Sequence, residues 1–175
     1  HAKGVRHQVM FHKANQAPDY HPTQTEIPFR IELDSCEHDF VGYIDMIGTL
    51  SETGKPVIVD WKTARKKPAK SSQHDSLQLT GYYASQAAEL GKDVELRLDH
   101  IVSSKTKTTR HVLDTRRDEK DVAALAHRIQ IASQTIEAGI FPPASMDQAW
   151  WCGASWCQYY ASCKYVNPSR REKEI

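Results

Sequence analysis

Phe40-Val-Gly-Tyr-Ile-Asp45-Met-Ile-Gly-Thr-Leu50 runs through Ser51-Glu-Thr-Gly-Lys55 into Pro56-Val-Ile-Val-Asp60-Trp-Lys62. Val41, Tyr43, Ile44, Met46, Ile47 and Leu50 make the first segment an apolar strand,. Ser51 to Lys55 has turn chemistry, and Val57-Ile-Val59 opens a second strand that pairs with the first as a hairpin,. Each strand carries one acid, Asp45 and Asp60, where a charge is expensive to bury,. The hairpin brings the two carboxylates side by side, where they repel unless a cation lies between them. Mg2+ or Mn2+ suits such a place, because these ions prefer oxygen ligands and keep several waters. Residues 60 and 62 are two apart on a strand, so Lys62 projects on the same face as Asp60,. A lone Asp-x-Lys reads as a surface ion pair; the apolar run before it and the second acid across a short turn make it a candidate catalytic site.

Upstream, His1 to about Asn15 is polar with Val5, Val9 and Met10 scattered through it, and the stretch through Pro18 and Pro22 reads as loop,. From Thr25 to Leu33, Ile27, Phe29, Ile31 and Leu33 alternate, predicting a half-buried strand,. Downstream, Asp75 is the expected cap of a helix reaching Leu90, with Leu79, Tyr83, Ala87 and Leu90 on its core face and Gly91 ending it,. Val94, Leu96 and Leu98 predict a strand, Lys105 to Thr109 a turn, and His111 to Leu113 a return strand,. A helix starting near Asp118 is striped by Val122, Leu125, Ile129, Ala132 and Ile136, and Gly139 with Pro142-Pro143 stops it,. Strand, strand, strand, helix, strand, strand, helix predicts an α/β or α+β mixed sheet covered by helices. The length suits one core, expected over residues 1–140, followed by a Cys- and Trp-rich segment at 141–175,.

Composition excludes some classes. The chain is 39% hydrophobic and 26% charged, and no apolar run approaches the roughly 18 residues of a membrane helix,. No signal-peptide pattern opens it, so an intracellular, cytoplasmic setting is expected. It begins at His1 without a Met, and part of the natural N-terminus is expected to precede it. Net charge is only +1, but Lys62, Arg65, Lys66, Lys67 and Lys70 fall within nine positions, and Lys105, Lys107 and Arg110 form another basic window,. Alone these are solvated loops; beside a phosphate-cutting site they become DNA-binding candidates.

Gly42-Tyr-Ile-Asp45, Val57-Ile-Val-Asp60-Trp-Lys62-Thr63 and Gln78-Leu-Thr-Gly-Tyr82 resemble, in order and spacing, the successive motifs of RecB-like PD-(D/E)XK nucleases, phage and bacterial exonucleases related to those of CRISPR adaptation. The resemblance runs from about Glu26 to the C-terminus. It implies a restriction-endonuclease-like α/β core, a central mixed β-sheet flanked by helices. It further implies Asp45, Asp60 and the Trp61 backbone carbonyl as ligands of Mg2+ or Mn2+, and Lys62 as the catalytic lysine. Gln78 and Tyr82 share a helix face distinct from the Leu79/Tyr83 stripe,. The resemblance implies that they position substrate or the lysine; otherwise they are a surface pair. Relatives often add a metal-ligating histidine four residues after a glycine in an N-terminal helix. His7 follows Gly4 by three, so that ligand is either His7 or a histidine upstream of His1.

Trp150 to Cys163 holds Cys152, Cys157 and Cys163 with three tryptophans. Some RecB-like nucleases bind an iron–sulfur cluster through C-terminal cysteines of comparable layout. Here Cys152-x4-Cys157 is longer than the usual two-residue gap, and Cys36 is the only other cysteine,. A [4Fe-4S] cluster, a zinc site and simple packing of an aromatic tail all remain open.

The expected function is metal-dependent hydrolysis of DNA, as an exonuclease at ends or in single strands, in recombination, repair or phage DNA processing, with other recombination proteins as partners and no membrane. Alternatives are a non-catalytic DNA-binding module of a recombination complex and a sequence-specific restriction-type endonuclease.

Overall fold

The computed structural model describes residues 19–103, 107–143 and 151–166. The chain divides into two compact units, residues 1–134 and 135–175. The first is built on a mixed five-stranded sheet in the order β1 (Tyr20–Ile31), β2 (Phe40–Leu50), β3 (Pro56–Ala64), β4 (Glu95–Ser103) and β5 (Thr108–Thr115). All neighbours are antiparallel except β3 and β4, which run parallel. A parallel pair needs a crossover, and helix α1 (Leu77–Leu90) supplies it. A second helix, α2 (Glu119–Glu137), follows β5.

Most elements begin and end where local chemistry places them. The α1 cap is Ser76 rather than Asp75: Ser76 Oγ accepts from Leu79 N at 3.3 Å, the three-residue reach a capping side chain needs,. Gly91, at φ 92°, ends the helix and donates its N–H to the Ala87 carbonyl. Asp118 caps α2 by accepting from Lys120 N and Asp121 N, while Asp121 returns a carboxylate oxygen to Asp118 N,. At its far end, Gly139 at φ 65° closes a Schellman turn, with Gly139 N bonded to Ile136 O and Ile140 N to Thr135 O,. The buried row of α2 is Leu125, Ile129 and Ser133. Ala132 and Ile136, expected inside, are exposed, because the inward row advances by four and reaches a serine.

Strand β1 starts five residues earlier than the alternation predicted and stops at Ile31, before Leu33. After the buried Tyr20, its first half is an exposed edge containing Pro22, which an edge strand tolerates,. Strand β5 likewise begins at Thr108 rather than His111.

Two apolar clusters line the two faces of the sheet. The larger holds Phe29, Ile44, Ile47, Ile58, Leu96 and Leu98 against Leu79, Tyr82 and Tyr83 of α1. The smaller holds Tyr20, Met46, Leu50, Val57 and Val59. Ile44 and Met46, two apart on one strand, fall in opposite clusters, so β2 loses its alternation between them, at Asp45. Glu26 stands opposite Asp45 in the β1 register and has φ 52°, unusual for a residue with a side chain,.

The sheet forks at the same place. Pairing of β2 with β3 runs from Thr49↔Pro56 to Met46↔Val59 and ends there. Beyond it β2 stays with β1 as far as Ile31↔Phe40, and β3 stays with β4 as far as Ala64↔Val102. Asp45 and Asp60 are the first residues past the last shared pair. Gly81 of α1 comes close beneath the β1–β2 prong, where an added Cβ would meet Phe40 Cε1 at 2.7 Å.

Candidate active site

The lost alternation leaves Asp45 free to turn toward β3. Its Oδ2 accepts the Trp61 N–H at 2.8 Å, taking the place of the ladder partner that β2 no longer provides. Asp60 is completely buried. Lys62, two residues on and on the same face, donates from Nζ to Asp60 Oδ1 at 2.8 Å and to Gln78 Oε1 at 2.9 Å. Gln78 Nε2 donates to the Tyr82 hydroxyl at 2.5 Å, and that hydroxyl reaches Asp60 Oδ1 at 3.4 Å. Asp60, Lys62, Gln78 and Tyr82 therefore close a ring between β3 and the first turns of α1. Tyr82 does not lie on a face apart from Leu79 and Tyr83: its ring is buried in their cluster, and only the hydroxyl extends to the carboxylate,.

Electrostatics follow from this packing. Burial raises the Asp60 pKa above the ordinary carboxylate range, the Lys62 hydrogen bond and charge oppose that rise, and the nearby charge of Asp45 adds to it,. Burial also raises the Tyr82 phenol, with the Asp60 charge contributing in the same direction. Asp60 Oδ2 lies 2.6 Å from the Lys62 ammonium but at an angle that makes no hydrogen bond. A buried carboxylate oxygen without a hydrogen bond, next to a second acid, fits a hard divalent cation whose remaining ligands are waters and a carbonyl. Among the described residues no three His, Cys, Asp or Glu side chains come together as a metal-binding group.

Behind Trp61 is a network that sequence reading missed. Trp61 Nε1 donates to the Tyr20 hydroxyl at 2.9 Å, and that hydroxyl donates to Asp99 Oδ2 at 3.0 Å. Burial pushes the Tyr20 phenol up to about 12. Arg110 grips Asp99 with Nε at 2.8 Å from Oδ1 and Nη2 at 2.7 Å from Oδ2, and reaches Asp19. Arg97 joins Asp19 to Asp114. Arg110, expected to be exposed basic surface, is thus an internal clamp, since the only way to keep Asp99 charged and buried is to pair it,. His100, opposite Lys62 in the parallel register, has both ring nitrogens buried without hydrogen-bond partners among the described residues, and burial followed by the Lys62 charge lowers its pKa.

Arg65, Lys66, Lys67 and Lys70 follow the end of β3, are exposed, and make no ion pair among the described residues. His7 and Lys105 lie outside the described residues. In the second unit Cys152 is exposed and Cys157 and Cys163 are half-buried. They do not converge as a metal-binding group among the described residues. No helix among the described residues is long and apolar enough to cross a membrane.

The chain matches the PD-(D/E)XK nuclease superfamily over residues 4–164 and belongs to it. Nucleases of this superfamily typically use divalent metal ions, and DNA is the substrate it implies. No curated protein matches the chain. Among solved structures it is similar to SSO0001, with 17% identity over 94% of this chain and 67% of that one at a TM-score of 0.48. It is also similar to a protein from Eubacterium rectale provisionally named an exonuclease, with 12% identity over 95% of this chain and 59% of that one at a TM-score of 0.48.

Proposed function

We propose that the protein is a metal-dependent DNA nuclease that hydrolyses phosphodiester bonds at DNA ends or in single strands, inside the cell, during recombination, repair or phage DNA processing. The observation that carries this reading is the ring of Asp60, Lys62, Gln78 and Tyr82 closed beside Asp45 where the sheet forks. Asp45 and Asp60, with the Trp61 carbonyl, would hold Mg2+ or Mn2+. The bound ion supplies charge that polarises a phosphate and makes a water acidic enough to attack it. Lys62 has three donors, two of them taken by Asp60 and Gln78, which leaves one for a phosphate oxygen or the attacking water,. Gln78 and Tyr82 keep the ammonium and the carboxylate in place, so the donor is oriented before substrate arrives. Arg65, Lys66 and Lys67 bind the phosphates next to the cut.

Linear DNA with an end label, single-stranded and duplex, tests this against a covalently closed duplex circle in Mg2+ or Mn2+. Degradation of the linear substrates that stops with EDTA and spares the circle is expected. Cutting of the circle at a comparable rate would contradict the requirement for ends or single strands.

A further inference from the structure

Past the fork, β2 presents Val41 and Tyr43 outward, 64% and 63% exposed, on the stretch that leads to Asp45. The opposite faces of the same stretch, Phe40 and Ile44, pack inward. Across the register Tyr43 faces Pro28, and Val41 faces Arg30. Among the described residues the Tyr43 ring is in neither apolar cluster, and its hydroxyl makes no hydrogen bond. Tyr43 and Asp45 are about 6.6 Å apart along the strand, from two rises of roughly 3.3 Å, comparable to the step between neighbouring nucleotides in an extended strand.

Charge divides the surroundings of the fork. The β3 prong leads into the exposed Arg65, Lys66, Lys67 and Lys70, which make no ion pair among the described residues. The tip of the β1–β2 prong carries Glu32, Asp34, Glu37 and Asp39, two of which pair with Arg30. A polyanionic backbone is drawn to the first side and repelled from the second, while the exposed phenol ring offers a face for a base. We propose that Tyr43 stacks on a nucleobase beside the scissile phosphate, so that the β1–β2 prong is the base-binding wall of a single-stranded DNA groove. This rests on the nuclease reading for its substrate. A base in a duplex is already stacked on both sides, so the contact selects unpaired DNA.

The test is binding of a fluorescent single-stranded oligodeoxynucleotide in EDTA, where no cleavage occurs, by the wild type, Tyr43→Thr, Tyr43→Ala and Tyr43→Trp. Thr keeps the strand preference of the position if Ala disturbs it. Loss of one base stack is expected to weaken binding roughly 5- to 150-fold in the Thr and Ala variants. Trp should preserve it, and blunt duplex binding should not change. A run of abasic sites in the oligonucleotide should weaken wild-type binding and remove the difference between the wild type and Tyr43→Ala. Equal affinity of the wild type and both truncated variants for the single strand, or an equal loss on duplex, would overturn the inference. Cleavage by the wild type in Mg2+ is read separately. A protein that cuts DNA but ignores Tyr43 refutes only the stacking wall, and one that fails to cut yet needs Tyr43 to bind refutes only the nuclease reading.

Discussion

Asp60 carries the conflict on which the site is built. A carboxylate with no exposed surface, 2.6 Å from an ammonium and still above its ordinary pKa, is a charge that the fold alone does not fully compensate. Since the folded carboxyl binds its proton more tightly than the unfolded one, metal-free protein loses stability as pH rises from the unfolded carboxylate range through the raised folded value. Asp60→Asn should flatten that slope in thermal melts in EDTA and raise the neutral-pH Tm, by about 2–4 °C for each kcal/mol relieved, while abolishing cleavage. A fall in Tm on this substitution would show that the Lys62 and Tyr82 hydrogen bonds outweigh burial. The two acids and the lysine were legible in the sequence because charged residues on apolar strands stand out. Tyr20, Asp99 and Arg110 were not, because their partners are 79 and 11 residues apart and each alone looks like an ordinary polar residue.

At the level of elements, the hairpin, the α1 crossover and the helix ends were readable from period and capping chemistry. The fork was not: it depends on a change of face at Asp45 and on Glu26 opposite it, and a strand pattern by itself assumes unbroken alternation. Two substitutions probe the elements that hold the fork. Arg110→Ala leaves Asp99 buried without its cation and should cost about 3–5 kcal/mol in urea unfolding. A cost under about 1 kcal/mol would mean that water or Arg97 replaces the clamp. Gly48, beside the β1 irregularity between Pro22 and Gln24, has no room for a Cβ against the His21 carbonyl. Gly48→Ala should therefore cost about 1–3 kcal/mol and lower the Tm measurably, whereas a neutral result would show that the β1 edge moves freely.

For the whole molecule, the net charge of +1 says little about DNA, and the placement of charge says more. Binding of single strands should weaken with salt, and replacing Arg65, Lys66 and Lys67 by Ala should reduce the slope of log K against log salt by about 0.7 for each phosphate that is no longer neutralised. An unchanged slope would remove those residues from the interface. If the two acids and Lys62 form a cutting site, comparing the wild type with Lys62→Ala on end-labelled single-stranded DNA in Mg2+ or Mn2+ will show it. Metal-dependent cleavage by the wild type is expected, with a loss of about 100- to 1000-fold in the variant and the fold intact by circular dichroism. Cleavage by the folded variant at the wild-type rate, or none by a wild type that still binds DNA, would contradict it.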